Sequence, residues 1–167
     1  MKSINNIFKK VCILAIVTSM AGCDMLDTKP YDFVAPETFY KNETDCTMAL
    51  AGVYWTMAAE HVYGNRYSCM LSNIDDLSYY YRQNQTSAVV ANSHNTGNTD
   101  LWYTWESLYS GINNANVLLD NIDGASISDE KVRARIKGEA KFLRAYYHFL
   151  LVQGWYEVPI RKETVND

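Results

Sequence analysis

The sequence lacks the compositional features that characterise several large classes of protein. Its 167 residues include only three Pro and eight Gly, too few for a collagen-like or low-complexity chain. Charged residues make up 20% and hydrophobic residues 48% of the chain, which excludes wholesale disorder. Basic residues do not exceed acidic ones, and the net charge of −4 disfavours a nucleic-acid-binding protein. What remains is a globular chain rich in aromatic residues, with 13 Tyr, 5 Phe and 4 Trp.

Metal-binding residues are also sparse. The four Cys and three His show neither a CxxC pair nor the Cys/His spacing of a zinc site. We therefore expect no metal and no cofactor. Cys46 and Cys69 could form a disulfide outside the cytoplasm or stay as buried free thiols, and both alternatives remain open.

Long apolar runs are missing except near the N-terminus. A polar, Lys-containing stretch over Met1–Lys10 is followed by the 12-residue, mostly apolar run Val11–Gly22. This run is too short to span a bilayer as a helix, which needs about 20 apolar residues. A basic start and a short apolar core predict a secretory signal peptide over residues 1–22.

The end of this segment predicts a lipid anchor. Small residues precede Cys23 in Met20-Ala21-Gly22-Cys23, which resembles a bacterial lipobox, although Met20 stands where Leu is usual. Cys23 would then be acylated and become the new N-terminus, with residues 23–43 as a tether. Two or more acyl chains hold a protein at a membrane far more firmly than one. The alternative is an ordinary signal peptide with an incidental Cys.

Three later segments have helical periodicity. Residues 44–60 are predicted to be a helix, capped by Asn42 or Thr44, from the apolar series Cys46, Leu50, Val53, Met57. A second helix, capped by Asn98 or Thr99 and ended by Asp123-Gly124, follows from Leu101, Trp105, Leu108, Ile112, Ala115, Leu119, Ile122. A third, from near Ser128 to Gly154, follows from Val132, Ile136, Ala140, Leu143, Tyr147, Leu150.

These helices predict a mainly α fold. Two long amphipathic helices with a short connection pack antiparallel, which resembles a tetratricopeptide unit and includes its Ala145-x3-Phe149 spacing. One such pair cannot bury both of its faces alone. We therefore predict a tetratricopeptide-like scaffold over residues 44–167 that is incomplete. Residues 61–98, with poor periodicity and many Tyr, Asn and Ser, form an insert of functional or flexible character.

Several side chains of the long helices have predicted structural roles. Aromatic residues at helical spacing usually belong to the core, so we expect Trp105, Tyr109, Phe142 and Tyr146 to be buried. Three polar residues are expected to form inter-helix hydrogen bonds or an ion pair: Asn116, Glu139, Arg144. Arg135 and Glu139 are four residues apart on one helix, the spacing of a surface ion pair.

Spaced motifs in a fixed order now resemble the N-terminal part of the SusD/RagB family, over most of the chain that would follow signal cleavage. They are Cys23 with Leu26-Asp27-Thr28-Lys29-Pro30, Ala49-Leu50-Ala51-Gly52-Val53-Tyr54, Trp105-x3-Tyr109-x2-Ile112-x2-Ala115-Asn116, Gly138-Glu139-Ala140-x-Phe142-Leu143-Arg144-Ala145-Tyr146, and Val158-Pro159-Ile160. The family usually has a Gly shortly before its Val-Pro, where this chain has Tyr156-Glu157.

The resemblance implies a helical, α-α superhelical scaffold like that of SusD. It also implies a non-enzymatic outer-membrane lipoprotein that faces the cell exterior, binds glycans or other nutrients, and partners a SusC-like TonB-dependent transporter. Family members are several hundred residues longer, which implies a truncated chain. Whether the reading frame continues past Asp167 stays open.

Sugar binding needs flat apolar ring faces and directional polar groups. The insert and the residues after it carry that mixture, and the family places part of its ligand site in this region. The candidate ligand-binding residues are Asp75, Asp76, Tyr80, Arg82, Asn98, Trp102. The alternative is that the consecutive tyrosines pack against domains outside this chain.

Two other functions remain open. The paired helical stripes also suit a structural adaptor without a small ligand of its own. A glycoside hydrolase would need two carboxylates about 5–10 Å apart across a site. Asp75 and Asp76 are adjacent in sequence, and nothing requires them to face each other.

Overall fold

The computed structural model describes residues 39–68, 77 and 93–165. It contains three α-helices: α1 over Glu43–Ala58, α2 over Thr99–Asn121 and α3 over Glu130–Trp155. A π-helical turn at Glu60–Gly64 follows α1, and a 3-10 turn at Ile122–Gly124 follows α2. Within these ranges no β-strand forms, and an isolated bridge joins Asn42 to Ser126. The mainly α fold is as predicted.

Each helix begins at a side-chain cap. The side chain of Asn42 accepts a hydrogen bond from Asp45 N at 3.0 Å, and that of Asn98 accepts one from Leu101 N at 3.0 Å. Asp129 caps α3 through Lys131 N at 2.8 Å. Such caps satisfy backbone N–H groups that have no partner inside the helix. Asn42 and Asn98 are therefore the caps, rather than Thr44 and Thr99. The helix α3 begins at Glu130, two residues later than predicted.

The predicted apolar stripes form the core between the three helices. Most of their members are buried, and five are partly buried: Met57, Leu101, Trp105, Leu119, Val132. At the centre lies Tyr147, whose hydroxyl donates to Val53 O at 2.6 Å. Gly111 of α2 faces the same point, and a Cβ atom there would lie 2.6 Å from Thr56 Cγ2. The three helices thus approach one another closely where α2 has no side chain.

The antiparallel α2–α3 hairpin is fixed by polar side chains. Arg133 donates from its guanidinium to the carbonyls of Ile122, Ala125 and Ile127 at 2.5, 3.2 and 3.1 Å. Further along, Arg144 Nη1 donates to Asn116 Oδ1 at 2.7 Å, which confirms the predicted inter-helix bond.

Glu139 also makes the expected contacts. Its carboxylate accepts hydrogen bonds from Tyr54 Oη of α1 and from Arg135 Nη1, both at 3.1 Å. The first bond joins two helices, and the second is the predicted surface pair.

The prediction that Phe142 belongs to the core is wrong, because 67% of its surface is exposed. Neighbouring positions on an α-helix differ by about 100° in direction, so Leu143 faces the core while Phe142 points away. Phe142 instead stacks on Tyr146, with ring centroids 6.2 Å apart. Trp105, Tyr109 and Tyr146 pack against the core and are partly buried.

Cys46 is a buried free thiol of α1. Burial raises its pKa, so the thiol stays protonated and packs as a small apolar group. Of the two alternatives that the sequence left open, the structure has the free thiol at this position. Cys69 lies outside the described residues.

Candidate functional site

The chain after α3 turns back and lies along the hairpin as a strap, residues 158–165. Side chains of the helices bind its backbone. Arg144 Nη1 donates to Lys162 O at 3.2 Å, and Asn116 Nδ2 donates to Glu163 O at 2.8 Å. Asn113 accepts from Val165 N at 2.9 Å and donates to Val165 O at 3.3 Å, as a neighbouring strand would. The helices thereby fix the position of an extended segment that has no strand partner among the described residues.

Most of these contacts come from one face of α2. Tyr109, Asn113, Asn116 and Asp120 are spaced by four, three and four residues, which aligns them along a helix. Tyr109 Oη donates to Pro159 O at 2.7 Å, and Asp120 Oδ2 accepts from the Thr164 hydroxyl at 2.5 Å. This polar row sits beside the apolar stripe that faces the core.

A cavity of about 540 Å³ lies between this face of α2 and the strap. Its volume is within the usual range of small-molecule sites. Aromatic, amide and charged side chains line it: Trp102, Trp105, Glu106, Tyr109, Ser110, Ile112, Asn113, Asn114, Asn116, Pro159, Arg161, Val165.

The aromatic wall of the cavity is held in place. Trp105 packs against Tyr109, with ring centroids 4.9 Å apart, and edge-on against Trp155 at 5.3 Å. Trp102, one turn earlier in position on α2, remains 55% exposed. Burial raises the pKa of Tyr109, so its hydroxyl stays a neutral donor to the strap. An indole face that is exposed beside fixed aromatic rings can stack on an apolar surface of a ligand.

The remaining lining groups are directional. Asn114 offers an amide, Glu106 a carboxylate and Arg161 a guanidinium. Planar amides and charged groups form well-oriented hydrogen bonds with hydroxyl groups. A flat apolar surface next to such groups is the combination that a sugar ring requires.

The N-terminal turn of α2, which carries Trp102, is anchored by the chain after α1. The hydroxyl of Thr104 donates to His61 O at 2.9 Å, and the His61 ring stacks on Tyr103 with centroids 4.7 Å apart. Arg66 Nη1 lies 3.2 Å from Asp100 Oδ1. The π-helical turn thus fixes the end of α2 at the mouth of the cavity.

The six residues predicted to bind ligand divide into two groups. Trp102 lines the cavity, and Asn98 caps α2 one turn away without lining it. The other four lie outside the described residues: Asp75, Asp76, Tyr80, Arg82. Cys23, the predicted lipidation site, also lies outside them.

The sequence did not predict the other lining residues of the cavity as site residues. Trp105 and Tyr109 were predicted as core, while Asn113 and Arg161 were not predicted as site residues at all. The available signal was the polar row of α2, in which Asn113 and Asn116 recur at helical spacing beside the apolar stripe.

Comparisons with known proteins show which family the chain resembles. A SusD-like family model described as "Starch-binding associating with outer membrane" matches residues 24–167. The chain belongs to the SusD/RagB family. SusD-like protein P25 of Formosa agariphila is 30% identical over 160 residues, which cover 90% of this chain and 30% of that protein. SusD-like protein P2 of the same organism is 26% identical over 161 residues, 95% of this chain and 32% of that protein.

The chain therefore spans about a third of the length of these SusD-like relatives. No solved structure matches it. In the part of the chain that the structure describes, no helix is both long and apolar enough to cross a membrane. The same residues bring together no group of three or more His, Cys, Asp or Glu side chains that could hold a metal ion.

Proposed function

We propose that this SusD/RagB-family chain helps to capture starch or a related glycan at the outer-membrane surface. It would be anchored by lipid on Cys23, face the cell exterior and deliver the glycan to a SusC-like TonB-dependent transporter. The observation that supports this proposal most directly is the cavity beside Trp102. There, an exposed indole lies next to fixed aromatic rings and to amide, carboxylate and guanidinium groups.

The binding step can be tested by affinity electrophoresis of the full chain in gels that contain starch. We expect Trp102→Ala to weaken retention about tenfold, equivalent to about 1.4 kcal/mol, because the indole supplies the exposed stacking face. Trp55→Ala is the matched control, since Trp55 is 71% exposed on α1 and does not line the cavity. Equal effects of the two substitutions would show that the cavity is not the binding site.

The anchor can be tested by fractionation of cells that express the full chain. Cys23→Ser is expected to move the protein from the membrane fraction to the soluble fraction, because the acyl chains provide the attachment. Cys12→Ser, inside the predicted signal peptide, is the control and should leave the protein at the membrane. Membrane-bound Cys23→Ser protein would contradict the lipid anchor.

The transporter partnership predicts co-purification. Mild detergent extraction of outer membranes, followed by capture of the tagged full chain, should recover a TonB-dependent barrel protein. Its absence under conditions that preserve other outer-membrane complexes would count against the partnership.

We expect no catalysis. The proposed role is binding, and among the described residues that line the cavity Glu106 alone carries a carboxylate. Release of reducing sugar from starch by the purified chain, abolished by Asp75→Asn with Asp76→Asn, would instead support a hydrolase.

A second candidate function is an adaptor without a small ligand. Large apolar side chains away from the cavity favour it: Trp55, Phe142 and Phe149 are 71%, 67% and 55% exposed. Exposed apolar surface of this kind often marks protein contacts. Capture of a partner protein by a chain that is not retained by any glycan would favour the adaptor.

A further inference from the structure

His148 joins α3 to the strap through both of its ring nitrogens. Nδ1 lies 2.8 Å from Arg144 O, and Nε2 lies 3.1 Å from the backbone nitrogen of Arg161. A carbonyl can only accept a hydrogen bond, so Nδ1 must carry a hydrogen. The Arg161 N–H can only donate, so Nε2 must present its lone pair. The contacts therefore require the neutral imidazole in its Nδ1–H form.

This bond controls the strap wall of the cavity. Arg161, whose backbone binds His148, lines that wall, and so does Pro159, two residues before it. Tyr109 binds Pro159 O on one side, and His148 binds Arg161 N on the other. Loss of the His148 bond would remove the anchor at Arg161 itself, between the bonds at Pro159 and Lys162, and would loosen the backbone that carries the Arg161 side chain.

A charged imidazole does not fit this place. Protonation at Nε2 would place an imidazole N–H opposite the Arg161 N–H, and two donors cannot form a hydrogen bond with each other. The residues that contact the ring are Tyr109 on α2, Arg161 on the strap and Arg144 on α3 itself. They present a phenol, kept neutral because burial raises the pKa of Tyr109, a backbone N–H and a backbone carbonyl. None of these three carries a negative charge that could neutralise an imidazolium.

We propose that His148 is a positioning residue of the cavity, which holds the strap only while its imidazole is neutral, so that glycan binding weakens on acidification. The glycan part rests on the proposed function, whereas the docking of the strap is a property of the chain alone. Histidine is the side chain that ordinarily gains a proton between pH 8 and pH 5, so a docking equilibrium that requires the neutral ring weakens over that range.

Strap docking can be measured by hydrogen exchange of residues 158–165 in the full chain, corrected for the intrinsic effect of pH on exchange. We expect protection of the Arg161 amide to be lost as the pH falls from 7.5 to 5.5. His148→Gln places a non-titrating carbonyl oxygen near the position of Nε2, so protection should persist at both pH values. His148→Leu removes the acceptor, so protection should be low at both. His94→Gln is the control and should retain the wild-type pH response, because His94 is exposed and far along the chain from the strap.

Starch-gel retention at the same two pH values tests the role in binding. We expect weaker retention at pH 5.5 for the unmodified chain and equal retention at both pH values for His148→Gln. Protection that does not change with pH, or a pH response that survives in His148→Gln, would overturn the role of His148. If starch retention does not change when the strap is released, His148 has no positioning role in glycan binding. A strap that responds to pH in a chain that never retains starch would overturn the proposed function while leaving the docking role intact.

Discussion

The close approach at Gly111 makes a sharp prediction about stability. A Cβ atom at this position would lie 2.6 Å from Thr56 Cγ2, 2.8 Å from Thr56 Oγ1 and 2.9 Å from Tyr147 Cε2. These distances are shorter than van der Waals contact, and Tyr147 cannot move away freely because its hydroxyl binds Val53 O at 2.6 Å. Gly111→Ala therefore forces the three helices apart or distorts the core.

The magnitude follows from two opposing terms. Replacement of a helical Gly by Ala gains about 1 kcal/mol of helix propensity, whereas overpacking of a core costs about 1–3 kcal/mol. Gly138 of α3 provides the propensity gain alone, since a Cβ there meets no atom within 4 Å. The free energy of unfolding of Gly111→Ala should thus lie about 1–3 kcal/mol below that of Gly138→Ala.

Urea unfolding of the full chain and the two variants, followed by circular dichroism, measures this difference. Thr56→Ala in the Gly111→Ala background removes both Thr56 contacts and should recover part of the loss, as a positive coupling between the two sites. Equal stabilisation by Gly111→Ala and Gly138→Ala would refute the close approach of the helices.

Three further predictions concern single side chains. Burial raises the pKa of Tyr147 to about 12, so its contribution to the free energy of unfolding is complete below pH 10 and is lost as the pH rises to 12. The thermal midpoint should therefore fall over this pH range, and Tyr147→Phe should reduce that fall. Tyr156 has a φ of 64°, so Tyr156→Gly should raise the free energy of unfolding by about 1 kcal/mol, and a decrease in urea unfolding would contradict this. Arg133→Met removes a donor from three carbonyls, of which those of Ile122 and Ala125 keep a backbone donor, and should cost about 1–3 kcal/mol. Arg135→Met, at an exposed pair, should change stability by less than about 1 kcal/mol, and similar losses in the two variants would contradict the role of Arg133.

The long helices could be predicted from the sequence because their periodicity is itself the cause of their packing. Leu108, Ile112 and Ala115 recur on one face, and that face is buried in the core. Caps such as Asn98 act on groups within three residues, so they too are visible locally. These parts of the fold depend on short spacings along the chain.

The strap and the cavity could not be predicted in the same way. Val158 to Val165 has no periodic pattern, and its backbone bonds run to side chains between 13 and 52 residues earlier. Apolar spacing also cannot tell a core position from a cavity wall, which is why Trp105 and Tyr109 were predicted as core. The π-helical turn at Glu60–Gly64 was missed because its contacts come from α2, far away in sequence.

At Tyr156 the chain departs from the family pattern without displacing the strap that follows. The family usually has Gly shortly before its Val-Pro, and here Tyr156 ends α3 in a left-handed backbone conformation that Gly adopts without strain. The strap nevertheless reaches its place, because its position depends on six helical side chains beyond this turn: Tyr109, Asn113, Asn116, Asp120, Arg144, His148.

The way the strap is held also has a consequence for how related chains can diverge. The bonds run from helical side chains to its backbone at Pro159, Arg161 and Lys162, so they do not depend on which side chains those residues carry. Exposed strap positions such as Arg161 can change without removing atoms from the core. The side chains of this wall can therefore change at little cost to the stability of the scaffold.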